Sequence, residues 1–414
     1  MTESAAASGP ALLVVDDNED NRYTLTRRLN KEGYRNLSTA NDGRAALDLL
    51  NAQPFDLVLL DIMMPELNGY EVLEQMKASP RLRDVPVIMI SALSEMDSVI
   101  RCIELGAEDY LSKPFNPTLL RARVGATLEK KRLRDEVRAS LARLEEELDA
   151  ARKMQLGMLP RLFPACTAGQ PVEVFALMEP AREVGGDLYD CFYAAEHLFC
   201  FLVGDVSGKG APAAMFMART RSLVRLAIEL SLKMGVEPLL PAQIAEAVNR
   251  ELCQNNDDRM FVTLFLGLLD TRTGLLACTN AGHPLPHLLR ASGDIGLLDC
   301  KPEIPLGVRG KTSYRSVTVP IGPGDAVFVV SDGVVEAMNA AGELYTLERL
   351  NDDLSGAAAT SAEELVRKVA DNVNAFTGAA QKADDVTALA MRWRPGGGGL
   401  AAGTGITCGQ VKAA

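Results

Sequence analysis

The sequence predicts two folded modules of different class, one on either side of a long helix. Three observations carry this. Residues 10–116 alternate short, continuous apolar runs with helix-like stretches, the pattern of a doubly wound, flavodoxin-like parallel α/β sheet. Residues 117–160 have no proline inside them, and their glycines, Gly125 and Gly157, lie near the ends. Residues 161–394 hold runs of strand-like segments with clustered helical ones, which points to α+β architecture with antiparallel sheets.

In the first module the apolar runs are residues 12–15, 56–61 and 85–90, and residues 109–114 close the set. Helical stretches are expected near 20–32, 42–52, 69–78 and 94–105. In such sheets the ligand site lies at the carboxyl ends of the strands. Asp16, Asp17, Asp61, Ser91 and Lys113 all fall there. Converging carboxylates repel one another and call for a divalent cation, and an oxygen-only donor set suits Mg²⁺. Lys113 would then pair with a phosphoryl oxygen, and the Ser91 hydroxyl would donate to another. Asp61 is left as the nucleophile that forms an aspartyl-phosphate. Any one of these aspartates would serve equally well as a helix N-cap. All five residues together at the carboxyl ends of the strands are not explained by capping.

In the helix, Val137, Leu141, Leu144, Leu148, Ala151, Gln155 and Met158 are spaced alternately four and three apart. That spacing is a coiled-coil seam, mostly apolar, and implies a homodimer. Leu133, Val137 and Leu141 run four and four, a stutter that locally underwinds a coil. The alternative is a helix packed on its own domain. Pro160 ends it.

In the second module, strands are expected near 172–178, 191–193, 198–203, 261–269, 275–280, 285–290, 315–319, 326–330 and 386–393, with helices near 211–232, 241–254 and 361–377. Aspartates again sit where apolar runs end. Asp187 and Asp190 lie in REVGGDLYD, Asp205 in GDVSGKG, Asp332 in SDG, and Asp384 and Asp385 in DDVT. Singly, Gly-Asp and Asp-Gly pairs are turn chemistry. Four of them beside apolar strands, without supporting histidines or cysteines, point to Mg²⁺ or Mn²⁺. Two such ions position a hydroxide in line with a phosphoryl group. Residues 395–414 are rich in glycine and predicted to be a disordered tail.

Composition narrows the function. A net charge of −12 argues against a nucleic-acid partner, which would need a basic face. The apolar content of 47% with 24% charged residues is that of a globular protein. No apolar run approaches a membrane span, and the N-terminus has no signal-peptide pattern, so a cytoplasmic location is expected. The eight cysteines show no C-x-x-C spacing and are expected to be reduced thiols.

Residues 10–125 resemble the receiver domain of bacterial response regulators. The resemblance implies that Asp16 and Asp17 are the acidic pair, Asp61 the phosphoacceptor, and Met63 the donor of a backbone carbonyl to Mg²⁺. It likewise makes Ser91 and Tyr110 the switch pair and Lys113 the phosphate-binding lysine, followed by a cis peptide to Pro114. A histidine kinase or phosphotransfer protein is the implied partner.

The blocks REVGGDLYD, GDVSGKG, FVTLFLGLLD, NAGHP, PLG, SDGVVEA and DDVT, over residues 151–394, resemble the SpoIIE/RsbU branch of the PPM (type 2C) serine/threonine phosphatases. This implies a β-sandwich flanked by helices and two Mn²⁺ or Mg²⁺ ions. By resemblance, Asp205 bridges them with help from the Val206 carbonyl, Asp187 holds one, and Asp332 and Asp384 hold the other. Asp190 and Asp385 are left open. The second block usually reads GDVSGHG, and Lys209 replaces its histidine. A metal-bound water or Lys209 would then protonate the leaving serine oxygen. His283 is expected to be structural. ARKMQLGMLP resembles the helix that couples sensor to phosphatase in this branch.

The expected function is thus a response regulator that dephosphorylates phosphoserine or phosphothreonine on a STAS-type anti-sigma-factor antagonist. The rival readings are a pseudophosphatase adaptor gripping such an antagonist or a sigma factor, and a nucleotide cyclase. The second is disfavoured because Leu188-Tyr189-Asp190 follows the Gly-Gly-Asp.

Overall fold

The computed structural model describes residues 9–91, 96–164, 166, 167, 170–182, 184–236, 239–380 and 382–395. The expected tail beyond residue 395, the start of the 94–105 helix and Glu183 of REVGGDLYD lie outside them. The chain divides into two compact units, Met1–Glu145 and Glu146–Ala414.

The first unit runs β1 (Ala11–Val15), α1 (Glu19–Lys31), β2 (Asn36–Ala40), α2 (Gly43–Ala52), β3 (Leu57–Asp61), α3 (Gly69–Ala78), β4 (Val87–Ser91), α4 (Met96–Glu104), β5 (Asp109–Ser112) and the first part of α5 (Pro117–Met158). Its sheet has the order β2-β1-β3-β4-β5, and every pair is parallel. Alternate residues of each central strand enter opposite layers. Leu13, Val15, Val58, Leu60 and Met89 pack on one face, and Leu12, Val14, Leu57, Leu59, Ile88 and Ile90 on the other. Both faces are covered by helices, so the strands read as continuous apolar runs. Asn18 caps α1, accepting from the Asp20 and Asn21 amides, and Asn68 with Glu71 forms a capping box on α3. The edge strand β2, sequence NLSTA, was not expected; it buries only Ala40 and carries no apolar run.

Leu120 and Val124 of α5 bury into the first unit. Farther along, Lys131 pairs with Asp56 and Arg138 with Asp84. Leu133, Val137, Leu141 and Leu144 stay 50–58% exposed.

The second unit contains β6 (Val172–Glu179), β7 (Leu188–Ala195), β8 (Leu198–Val206), α6 (Ala211–Lys233), α7 (Pro241–Leu252), β9 (Val262–Asp270), β10 (Leu275–Ala281), β11 (His287–Leu289), β12 (Ile295–Leu297), β13 (Val317–Pro320), β14 (Ala326–Val330), α8 (Asp332–Val335), α9 (Thr346–Leu354), α10 (Ala362–Thr377) and β15 (Val386–Trp393). Two antiparallel sheets, β13-β10-β9-β8-β7 and β12-β11-β14-β15-β6, form a sandwich. Strand alternation builds the layers. Val327 and Val329 of β14 join the core that contains Phe199, Phe201 and the helix residues Val224, Ile228, Ile244 and Val248. Phe328 and Val330 join the core under α9 and α10, with Leu350, Leu354, Val366, Val369 and Val373. The result is helices on both outer faces of a β-sandwich. Among the described residues no helix is long and apolar enough to cross a membrane.

Candidate functional site

The first unit gathers its polar residues at the carboxyl ends of β1, β3, β4 and β5. Carboxylate oxygens of Asp16, Asp17 and Asp61 lie within 4.8 Å of one another. The Lys113 ammonium sits between two of them, 2.8 Å from Asp16 and 3.0 Å from Asp61. The other Asp16 oxygen accepts from the Asn18 amide and the Asn21 side chain. Burial raises the Asp61 pKa, the bond and charge of Lys113 oppose this, and Asp16 adds to the rise. Burial alone would lower the Lys113 pKa, yet its bonds to Asp16 and Asp61 outweigh this and raise it. Ser91 is buried at the end of β4, and Tyr110 is half-buried on β5. Met63 is exposed in the loop after β3. The Lys113–Pro114 peptide is cis.

In the second unit the candidate residues come from both sheets at one end of the sandwich. Asp187 immediately precedes β7, and Asp205 lies on β8. Asp332 opens α8 just after β14, and Asp384 precedes β15. Ser331 joins the two sides. Its hydroxyl donates to Asp187 at 2.7 Å and accepts from the Thr387 amide at 3.1 Å. The Val206 carbonyl lies against Gly186, where a Cβ would come within 2.8 Å of it.

Burial raises the pKa of Asp187, Asp205 and Asp332, and neighbouring carboxylate charges add to each rise. Burial and then the charges of Asp205 and Asp385 lift Asp187 well above the usual range. Burial and the charges of Asp332, Asp384 and Asp385 push Asp205 up to about 7. Asp332 is raised by burial, Glu336 and Asp384. Among the described residues, however, only the receiver-like triad brings three ligand atoms within 4.8 Å of one another. The second set is looser. At its rim the Lys209 ammonium meets Asp384 at 3.1 Å.

The two aspartates left open by the sequence have other partners. Asp190 is fully buried and held by Arg225 at 2.6 and 2.7 Å and by Arg221 at 3.0 Å. The Asp385 carboxylate accepts from the amides of Ala181, Gly186 and Asp187 at 2.7, 2.7 and 3.3 Å. It fixes the loop that presents Asp187. Gly185 leaves room in that loop for the Asp385 carboxylate, which a Cβ there would overlap. His283 is buried, with its ring Nδ1 2.9 Å from the Thr263 hydroxyl, and burial pushes its pKa down to about 3.

Sequence reasoning missed one contact that involves the linking helix. Gln155, assigned by its spacing to a coiled-coil seam, is 5% exposed and grips Gly185 with both ends of its carboxamide. Its Nε2 donates to the Gly185 carbonyl at 2.6 Å, and its Oε1 accepts from the Gly185 amide at 3.1 Å. Leu159 is buried in the same unit, and the Tyr189 hydroxyl donates to the Pro160 carbonyl at 2.9 Å. The end of the helix therefore packs on its own domain, two residues from Asp187. The available signal was a lone amide in an otherwise apolar stripe.

Comparison with known proteins agrees with this division. Residues 12–125 match the family model of the response regulator receiver domain, and residues 195–394 match that of stage II sporulation protein E (SpoIIE). A probable cyclic di-GMP phosphodiesterase of Vibrio cholerae is 41% identical over 124 residues, covering 30% of this chain and 28% of that protein. Protein IcfG of Synechocystis is 28% identical over 277 residues, covering 62% of this chain and 42% of that protein. The chain thus spans less than half the length of either relative. Among solved structures, the SiaA-PP2C domain of Pseudomonas aeruginosa superposes with a TM-score of 0.54 at 23% identity, covering 62% of this chain and 99% of that one. That likeness shows the fold of the second unit.

Proposed function

We propose that this chain, in which residues 12–125 match the receiver-domain model and residues 195–394 the SpoIIE model, is a response regulator whose output is metal-dependent hydrolysis of phosphoserine or phosphothreonine on a protein. The observation that carries the reading is the convergence of carboxylates from both sheets, with Asp187, Asp205 and Asp332 raised by burial and then by neighbouring charge. Its donors are all oxygen, and its negative charge exceeds what Lys209 balances, so it fits hard divalent cations. Asp187, Asp205 with the Val206 carbonyl, Asp332 and Asp384 would hold two Mn²⁺ or Mg²⁺ ions. Bound there, the ions would supply Lewis acidity and an activated water for phosphomonoester hydrolysis. Ser331 and Asp385 orient Asp187 through the bonds described above. Lys209, at the rim, or a metal-bound water would protonate the leaving serine oxygen.

In the receiver, Asp16, Asp17, Asp61 and the Met63 carbonyl would hold Mg²⁺, and Asp61 accepts phosphate from a histidine kinase or phosphotransfer protein. Lys113 then exchanges a carboxylate partner for a phosphoryl oxygen, and Ser91 and Tyr110 report the change. Helix α5 carries it onward. Its exposed stripe of Leu133, Val137, Leu141 and Leu144 suits a coiled-coil homodimer, and Gln155 reaches the loop of Asp187. The substrate class is a phosphorylated STAS-type anti-sigma-factor antagonist, met in the cytoplasm. Incubation of the purified protein with Mn²⁺ and such a phosphoprotein tests this. Phosphate release that stops on chelation is expected, and turnover that survives exhaustive chelation contradicts it.

A further inference from the structure

Lys209 stands on the loop after β8, between two glycines with positive φ, Gly208 at 89° and Gly210 at 78°. Its ammonium is bonded on the other side of the site, to the Asp384 carboxylate at 3.1 Å and to the Ala383 carbonyl. The two side chains are 36% and 44% exposed, so the pair is accessible to solvent and ions.

We propose that Lys209 is a tethered cation that competes with a divalent metal ion for Asp384 and thereby sets how tightly the second unit holds metal. The inference rests on the metal-site reading above. An ammonium has three donors and no acceptor, so it cannot serve as a ligand bridging to a metal. A divalent ion drawn to Asp384 meets the charge of Lys209 and must displace it or be repelled by it. The receiver offers the contrast. Lys113 is shared between Asp16 and Asp61, and that triad stays within 4.8 Å. Lys209 engages Asp384 alone of the four, and the four do not gather as closely. A half-exposed ion pair of this kind opens readily. The latch therefore tunes metal affinity without blocking the site.

The test is calorimetric titration of Mn²⁺ into the full chain, in a background carrying Asp16→Asn and Asp17→Asn so that the receiver triad contributes little. Lys209→Met keeps the aliphatic stem and removes the charge. It is expected to bind Mn²⁺ about two- to fivefold more tightly, the range set by the strength of exposed ion pairs. Lys209→Arg, which keeps the charge, is expected to restore the parent affinity. If Lys209→Met lacks a thermal unfolding transition, Lys209→Gln takes its place with the same expected tightening. Unchanged or weaker binding in the neutral variant overturns the latch. Absence of Mn²⁺ binding in the parent and in every variant overturns instead the metal-site reading on which it rests.

Discussion

The receiver holds its carboxylates on one parallel sheet, at strand ends that the topology sets side by side. The second unit assembles its set from two sheets that face each other. In the first case backbone register does the positioning, because β1 pairs with β3 and β3 with β4. In the second case side chains do it, with Ser331 and Asp385 crossing between the sheets. The charge balance differs too. Lys113 is largely buried and touches two aspartates of its triad, whereas Lys209 is at the rim and touches one. Three carboxylates against one ammonium leave the receiver triad at a formal charge of −2, and four against one leave the second set at −3. In the second site burial and the neighbouring carboxylates push Asp205 up to about 7.

The comparison breaks most sharply at Asp205. Asp205→Asn or Asp332→Asn should lower hydrolysis of p-nitrophenyl phosphate by on the order of 10³-fold, about 4 kcal/mol of transition-state stabilisation. Activity within tenfold of the parent would contradict the metal assignment.

The next largest effect concerns the helix between the units. Leu144→Asp with Leu148→Asp should give a monomer by light scattering, because each charge would be buried unpaired in a coil. A dimer that survives both changes would move association to another surface. Gln155→Leu should then cost the second unit about 2–3 kcal/mol in urea unfolding, since it leaves two buried Gly185 groups unpaired. A loss below about 0.5 kcal/mol would mean that the groups find other partners.

Part of this was legible in the sequence and part was not, for physical reasons. Strands such as β3 and β4, apolar throughout, could be read directly, and so could the acidic residues at their ends. The edge strand β2 could not, because only Ala40 is buried and its exposed residues, Asn36 and Thr39, are polar. β12 and α8, of 3 and 4 residues, are too short to show a period. Heptad spacing marked one stripe along α5 but not what covers it. Exposed Leu141 and buried Gln155 lie on that same stripe. Asp190 and Asp385 stayed open because residue type alone does not reveal the two arginines that hold one or the three backbone amides that hold the other.

A smaller effect sharpens the electrostatic contrast. Asp205 has a folded-state value of about 7 against an ordinary value of 3.8. The native state then binds more protons than the unfolded chain between those values. The corresponding stability is fully present below the unfolded value and is lost as pH rises through about 7. Metal-free protein should therefore melt at progressively lower temperature from pH 5 to pH 8, and Asp205→Asn should flatten that slope. Added Mn²⁺ should stabilise more at pH 8 than at pH 6. An equal slope in parent and variant would assign the titration to another group.

The most direct test of the account is the phosphatase rate of the full chain with and without beryllofluoride, in the parent and in Asp61→Asn. The account expects the parent rate to change on addition, and Asp61→Asn to keep the basal rate while losing the change. A parent rate indifferent to beryllofluoride, or an Asp61→Asn variant that still responds, would contradict control of the second unit through the receiver.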